Sequence, residues 1–101
     1  MIKVLIKLEG NSFSSLEIKG HAGSGPYGHD LVCSGVSALV TGCLNNINEP
    51  NNFKIVLKEG HVNVVKIGDI SEHDEIVLET LITGLKTIEE SYKQFIQIKN
   101  L

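Results

Sequence analysis

The chain predicts an α+β fold: a two-layer domain of order ββαββα, with an antiparallel sheet and both helices packed on one of its faces. Three observations carry this expectation. Segments of alternating apolar and polar residues come in two pairs, one near the N-terminus and one after residue 52. Each pair is split by a short turn, which makes a hairpin and therefore an antiparallel pairing. Each pair is followed by a stretch whose apolar residues recur at the helical period. The 101 residues fit one domain spanning 1–101.

Residues 2–8 set Ile2, Val4, Ile6 and Leu8 against Lys3 and Lys7, a strand with one wet face. Glu9-Gly10-Asn11 turns the chain, and Phe13, Leu16 and Ile18 mark a second, less regular strand. After a glycine-rich loop, a helix runs from about Asp30 to Ile47. Its apolar stripe is Val32, Val36, Leu39, Val40, Cys43 and Ile47. Asn48, Pro50, Asn51 and Asn52 end it. Phe53, Ile55 and Leu57 form a third strand, Glu59-Gly60 a turn, and Val62, Val64 and Ile67 a fourth strand. Ser71 caps a closing helix with acidic residues in its first turn and a stripe of Leu78, Leu81, Leu85, Ile88, Tyr92 and Phe95.

Composition narrows the function. Hydrophobic residues make up 42% of the chain, enough for a core without disulfide staples. All nine basic residues are lysines and the net charge is −3, so no guanidinium fork or basic stripe favours direct nucleic-acid binding. No apolar run is long enough to span a membrane, and the alternating N-terminus does not read as a signal peptide. Cys33 and Cys43, ten residues apart on one helix, are separated by about 15 Å along its axis. A disulfide needs Cα atoms within about 7 Å, so the pair cannot bridge. Free thiols without an export signal point to the cytoplasm.

The chemistry concentrates in residues 20–39. A loop carrying Gly20, Gly23, Gly25 and Gly28 opens with His21 and runs into the first helix, where Cys33 lies in the first turn. Cys33 falls about 60° from the centre of the apolar stripe, at its margin, whereas Cys43 falls near the centre and is expected to be buried. A helix N-terminus supplies partial positive charge that favours thiolate, and its N–H groups are candidate oxyanion donors. A nearby imidazole supplies a base, and His21 or His29 qualifies. His21 is favoured because it follows a strand, and a base on a rigid element is easier to aim. Asp30 and Ser37 are helical neighbours of Cys33. Each residue also has a plainer role: Cys33 as a small core residue, Asp30 as an N-cap, and Ser37 bonded to a carbonyl one turn back.

Other readings of the segment lack their context. Gly23 to Gly28 matches G-x-G-x-x-G, but the preceding hairpin is no parallel βαβ unit, and no acidic residue stands about 20 positions on. His21, His29, Cys33 and Cys43 fit no common zinc spacing, so neither metal nor cofactor is expected. His61 and His73 are expected on a turn and a solvated helix start, without a role.

The run Gly20-His21-Ala22, then Gly28-His29-Asp30-Leu31-Val32-Cys33, then Val36-Ser37, resembles the Prp family of ribosomal-processing cysteine proteases. That family's pattern is G-H-A, a variable glycine-containing loop, G-x-D-x-V-C, two small residues and V-S. The resemblance covers essentially the whole chain. It implies a cysteine endopeptidase that removes the N-terminal extension of a large-subunit ribosomal protein, cutting after an aromatic pair and before a small residue, and acting as a homodimer. On it, Cys33 is the nucleophile and His21 the base, with Gly20, Asp30 and Ser37 supporting the site. The substrate loop corresponds to Ala22, Gly23, Ser24, Gly25, Pro26, Tyr27, Gly28 and His29. Ser34-Gly35 replaces the more usual pair of alanines, and the loop is unusually rich in glycine. A reading from another class is a non-catalytic dimeric module that binds a ribosomal protein or assembly factor.

Overall fold

The structure is a computed structural model that describes residues 1–26 and 30–101. Five strands and two helices follow the order β1 (Ile2–Glu9), β2 (Ser12–Lys19), α1 (Leu31–Asn45), β3 (Phe53–Lys58), β4 (His61–Lys66), α2 (Glu72–Ser91) and β5 (Ile96–Asn100), with a 3-10 turn at Pro50–Asn52. The strands form one sheet of order β3-β4-β2-β1-β5. One face carries Ile2, Val4, Ile6, Phe13, Leu16, Ile18, Val62, Val64 and Ile96 into a core shared with both helices. The expected α+β class and its two hairpins are therefore present.

Three features differ from the sequence expectation. The order gains β5, which pairs parallel to β1, Ile2 against Ile96 and Val4 against Ile98, so the sheet is mixed rather than wholly antiparallel. Ile96, Gln97, Ile98 and Lys99 do alternate, but the helical spacing that reaches Phe95 masks them. α2 stops at Ser91 with Tyr92 as its C-cap, and Phe95 packs against the core from the connection to β5. Ile67 lies beyond β4 and is exposed, since Ile67 N–H turns away to the Asn52 carbonyl at 2.8 Å.

The irregularity of β2 has a structural cause. The β1–β2 register shifts by one residue between Lys7 and Leu8, a bulge that leaves Ser14 as an extra residue on β2. It allows Phe13 and Leu16, three apart, to point into the same core. Glu75 on α2 fastens the bulged end, its carboxylate accepting from the Ser12 hydroxyl and from Phe13 N–H.

The helices start where their caps place them. Asp30 accepts from Cys33 N–H, and Ser71 accepts from Asp74 N–H at 3.2 Å. Val32, Val36 and Val40 of α1 are buried, as are Val77, Leu78, Leu81 and Leu85 of α2. Asp74 is fully buried yet satisfied, accepting from Asn48 N–H at 2.8 Å and Glu49 N–H at 3.0 Å. A buried carboxylate without such donors would be strongly destabilising, so this pair locks the end of α1 to the start of α2.

Candidate active site

The site is assembled where β2 hands over to the glycine loop. Gly20 takes φ +95, and a Cβ there would lie 2.5 Å from the Met1 carbonyl oxygen, so only glycine fits. Its N–H donates to the Gly60 carbonyl at 3.0 Å, tying the end of β2 to the β3–β4 turn. The next residue, His21, is thereby projected from the sheet with its side chain exposed.

The loop is then clasped to the start of α1. Both Asp30 carboxylate oxygens receive Ser24, one from its hydroxyl and the other from its N–H at 3.2 Å. The first of these oxygens also accepts Cys33 N–H at 3.0 Å. The Ser24 hydroxyl and the Cys33 N–H hold the Asp30 carboxyl far below its usual range, so it stays ionised at every pH of interest. Ser24 was legible only as part of a glycine-rich loop; its role depends on a fold-back that no local pattern encodes.

The helix start differs from what its position alone implies. Val32 N–H reaches the Ser24 hydroxyl at 3.4 Å, Cys33 N–H is taken by Asp30, and Ser34 N–H donates to the Asp30 carbonyl at 3.0 Å. These groups are thus committed to the cap rather than open to an oxyanion. The donor that faces the sulfur is Ala22 N–H, 3.2 Å from Cys33 Sγ. Burial pushes the half-buried Cys33 thiol above its ordinary value of 9.0. The Ala22 N–H opposes this by favouring thiolate, while the Asp30 carboxylate adds to the rise. The helix N-terminus therefore does not by itself yield a thiolate, because an anionic cap already occupies it.

This has a direct consequence for reactivity. In the free protein, alkylation of Cys33 by iodoacetamide is expected to accelerate with pH and to show a midpoint above 9.0, since the thiolate is the reacting form. Rates followed by intact mass from pH 6 to 10 measure it; a midpoint near 7 would contradict this environment.

His21, Cys33 and Ser37 line one cleft of about 450 Å³ between α1 and the β3–β4 hairpin. Ile2, Ile18 and Val62 contribute apolar surface to it. Leu57 on β3 also lines it and is 52% exposed, an apolar side chain left uncovered on the cleft that the thiol shares. Among the described residues no hydrogen bond joins His21 to Cys33. Ala22, Ser24 and Gly25 of the expected substrate loop lie in or beside this arrangement, whereas Tyr27, Gly28 and His29 fall outside the described residues. His29 as an alternative base falls there too.

The remaining candidates separate clearly. Cys43 is half-buried rather than buried, beside a smaller hollow of about 270 Å³ lined by His73, Ile76 and Thr80, where burial raises its thiol. His73 donates through Nε2 to the Asn46 carbonyl at 2.9 Å, closing the end of α1. His61 opens β4 and lines the same cleft as Cys33, its Nε2 3.2 Å from Glu17 Oε2. No three His, Cys, Asp or Glu side chains converge on a common point among the described residues.

A His, a Cys at a helix start and an apolar cleft are shared by several peptidase classes, and comparison with known proteins distinguishes among them. The family model described as cysteine protease Prp matches residues 1–97. The chain belongs to the Prp family. Over 83 residues, 78% of each chain, it is 34% identical to the ribosomal processing cysteine protease Prp of Staphylococcus aureus. Over 92 residues it is 30% identical to the protein of that name from Bacillus subtilis, covering 83% of this chain and 82% of the other. The crystal structure of the S. aureus Prp, an essential ribosomal processing protease in complex with a covalently linked product peptide, superposes with a TM-score of 0.87 at 28% identity over the full length of both chains. As a Prp family member the protein is a cysteine peptidase, and its mixed sheet and two helices are the Prp fold.

Proposed function

We propose that this Prp family member removes the N-terminal extension of a large-subunit ribosomal protein by a Cys-His dyad, with Cys33 as nucleophile and His21 as base. The observation that carries the reading is the cleft that holds both side chains, with the Ala22 N–H directed at the sulfur. In support, the S. aureus relative is named for ribosomal processing and carries a covalently linked product peptide.

The bound peptide excludes water from the cleft and brings His21 to Cys33. The imidazole takes the Sγ proton, and the thiolate attacks the scissile carbonyl carbon to form a C–S bond. The tetrahedral intermediate collapses as the C–N bond breaks, and the imidazolium returns the proton to the leaving amine. Water, deprotonated by the same imidazole, then hydrolyses the thioester and restores the thiol. The raised pKa of the free thiol, and a His21 that has no hydrogen-bond partner among the described residues, keep the enzyme at rest until substrate arrives. Asp30 and Ser37 support the site: Asp30 by fixing the Cys33 backbone, Ser37 from one turn further along the cleft wall. The substrate is cut after two aromatic side chains, which the apolar surface around Leu57 can receive. On the family resemblance the active form is a cytoplasmic homodimer; no helix among the described residues is long and apolar enough to cross a membrane.

The test is cleavage of a peptide carrying two aromatic residues followed by alanine, read by mass spectrometry. A Cys43→Ala background leaves Cys33 as the one thiol. Cutting before the alanine, lost after complete alkylation of Cys33 at alkaline pH, is expected. Undiminished cutting by the fully alkylated protein would exclude Cys33 as nucleophile.

A further inference from the structure

The ring of His21 rests on a residue to which the sequence gives only the role of a turn and the family pattern none. Gly60, in the β3–β4 turn, has φ +75, and a Cβ built on it would stand 3.0 Å from His21 Nε2, 3.4 Å from Cε1 and 3.8 Å from Cδ2. The imidazole therefore occupies the space that any side chain at position 60 would need. The same glycine accepts the Gly20 N–H at 3.0 Å, which fixes the backbone one residue before His21. Backbone and ring are thus both registered on a single turn of the opposing hairpin. Among the described residues the ring of His21 has no hydrogen-bond partner, so this packing is what locates it.

We propose that Gly60 is the positioning residue for His21: the bare Cα is the bed on which the imidazole lies, and it sets the place in the cleft opposite Cys33 from which the ring closes on the thiol when peptide binds. The proposal rests on the reading of His21 as the base. Adding a methyl group would push the ring away by a few tenths of an ångström. Because catalytic groups misplaced by about 1 Å lose on the order of 100-fold, a shift of this size is expected to lower kcat by about tenfold. KM should stay within about twofold, since the methyl group touches the base rather than the apolar surface that receives the peptide.

Backbone strain is the competing explanation of any loss, and the fold supplies a matched control. Gly10, in the β1–β2 turn, has φ +63, and nothing lies within 4 Å of a Cβ built on it. Gly10→Ala therefore carries similar left-handed strain without touching the site. Gly60→Asn and Gly10→Asn repeat the comparison with the residue that best tolerates this conformation.

The experiment measures kcat and KM for peptide cleavage by the wild type, the four glycine variants and His21→Ala, together with the chemical shift of the His21 Cε1–H resonance at one fixed pH. Both Gly60 variants are expected to lose kcat and to displace the His21 Cε1–H resonance, while the Gly10 variants lose only thermal stability. A wild-type nuclear Overhauser contact between His21 Hε1 and the Gly60 Hα protons is expected as well, and it requires no variant to fold. Equal kcat for the position-60 and position-10 variants with an unchanged His21 Cε1–H resonance would overturn the proposal, as would absence of the contact. Wild-type cleavage by His21→Ala would instead overturn the dyad, and with it the catalytic meaning of Gly60.

Discussion

Cys33→Ala is expected to lower the rate of peptide cleavage by at least about 10⁴-fold, because no step of acyl transfer survives without the sulfur. His21→Ala is expected to fall by a comparable factor, and the double variant by little more than either alone. That non-additivity is the signature of two groups acting as a unit, and it separates a dyad from two residues that merely support folding. Stability should hardly change in either single variant. His21 is exposed and unpaired among the described residues, and Cys33 is half-buried at the margin of the core. Cys43→Ala is the contrasting variant, with activity within about twofold and a modest loss of stability from its packing between the helices. Single-turnover cleavage and urea denaturation of the same four proteins measure all of this; additive losses would leave the dyad without support.

Gly20→Ala is the second large effect, and here stability and activity fall together. The position combines φ +95 with a backbone oxygen 2.5 Å from any added Cβ, so strain and overlap are both present and neither neighbour is a mobile side chain. The expected loss is on the order of 2–4 kcal/mol, a large share of the roughly 5–15 kcal/mol that holds a domain of this size. Relief requires the end of β2 to separate from Met1, which would also weaken the Gly20–Gly60 hydrogen bond and carry His21 out of register. Urea denaturation with cleavage kinetics on the folded fraction is the check. A loss below about 1 kcal/mol would show that the turn relaxes easily and that Gly20 matters for another reason.

Much of the fold was legible because its elements obey local rules. Alternation marks β1, β3 and β4, capping residues mark the starts of α1 and α2, and valines at four-residue steps mark the buried face of α1. β5 was not legible for two reasons. Ile96 and Ile98 continue the apolar spacing of the closing helix, and their partner strand is β1, at the opposite end of the sequence. A parallel pairing across that separation has no turn to announce it. The two serines beside the β2 bulge were equally silent, since a bulge is recognised by what its neighbours must bury.

For the candidate site, the sequence by itself determined which groups are offered: a thiol in the first turn of a helix, an imidazole at the end of a strand, glycines between them, and a motif specific enough to indicate a family. These are properties of residue type and short-range spacing, which survive in one dimension. Only the tertiary structure decided how those groups are held. It gave the helix-start N–H groups to Asp30 and Ser24, turned the Ala22 N–H toward the sulfur, and set His21 on the bare turn of a hairpin 39 residues further along the chain. A backbone donor carries no sequence signal, and a glycine that makes room for a distant ring looks in one dimension like any other turn. Which groups face the thiol is fixed by packing, because long-range contacts are selected by the burial of the whole core rather than by the residues that make them.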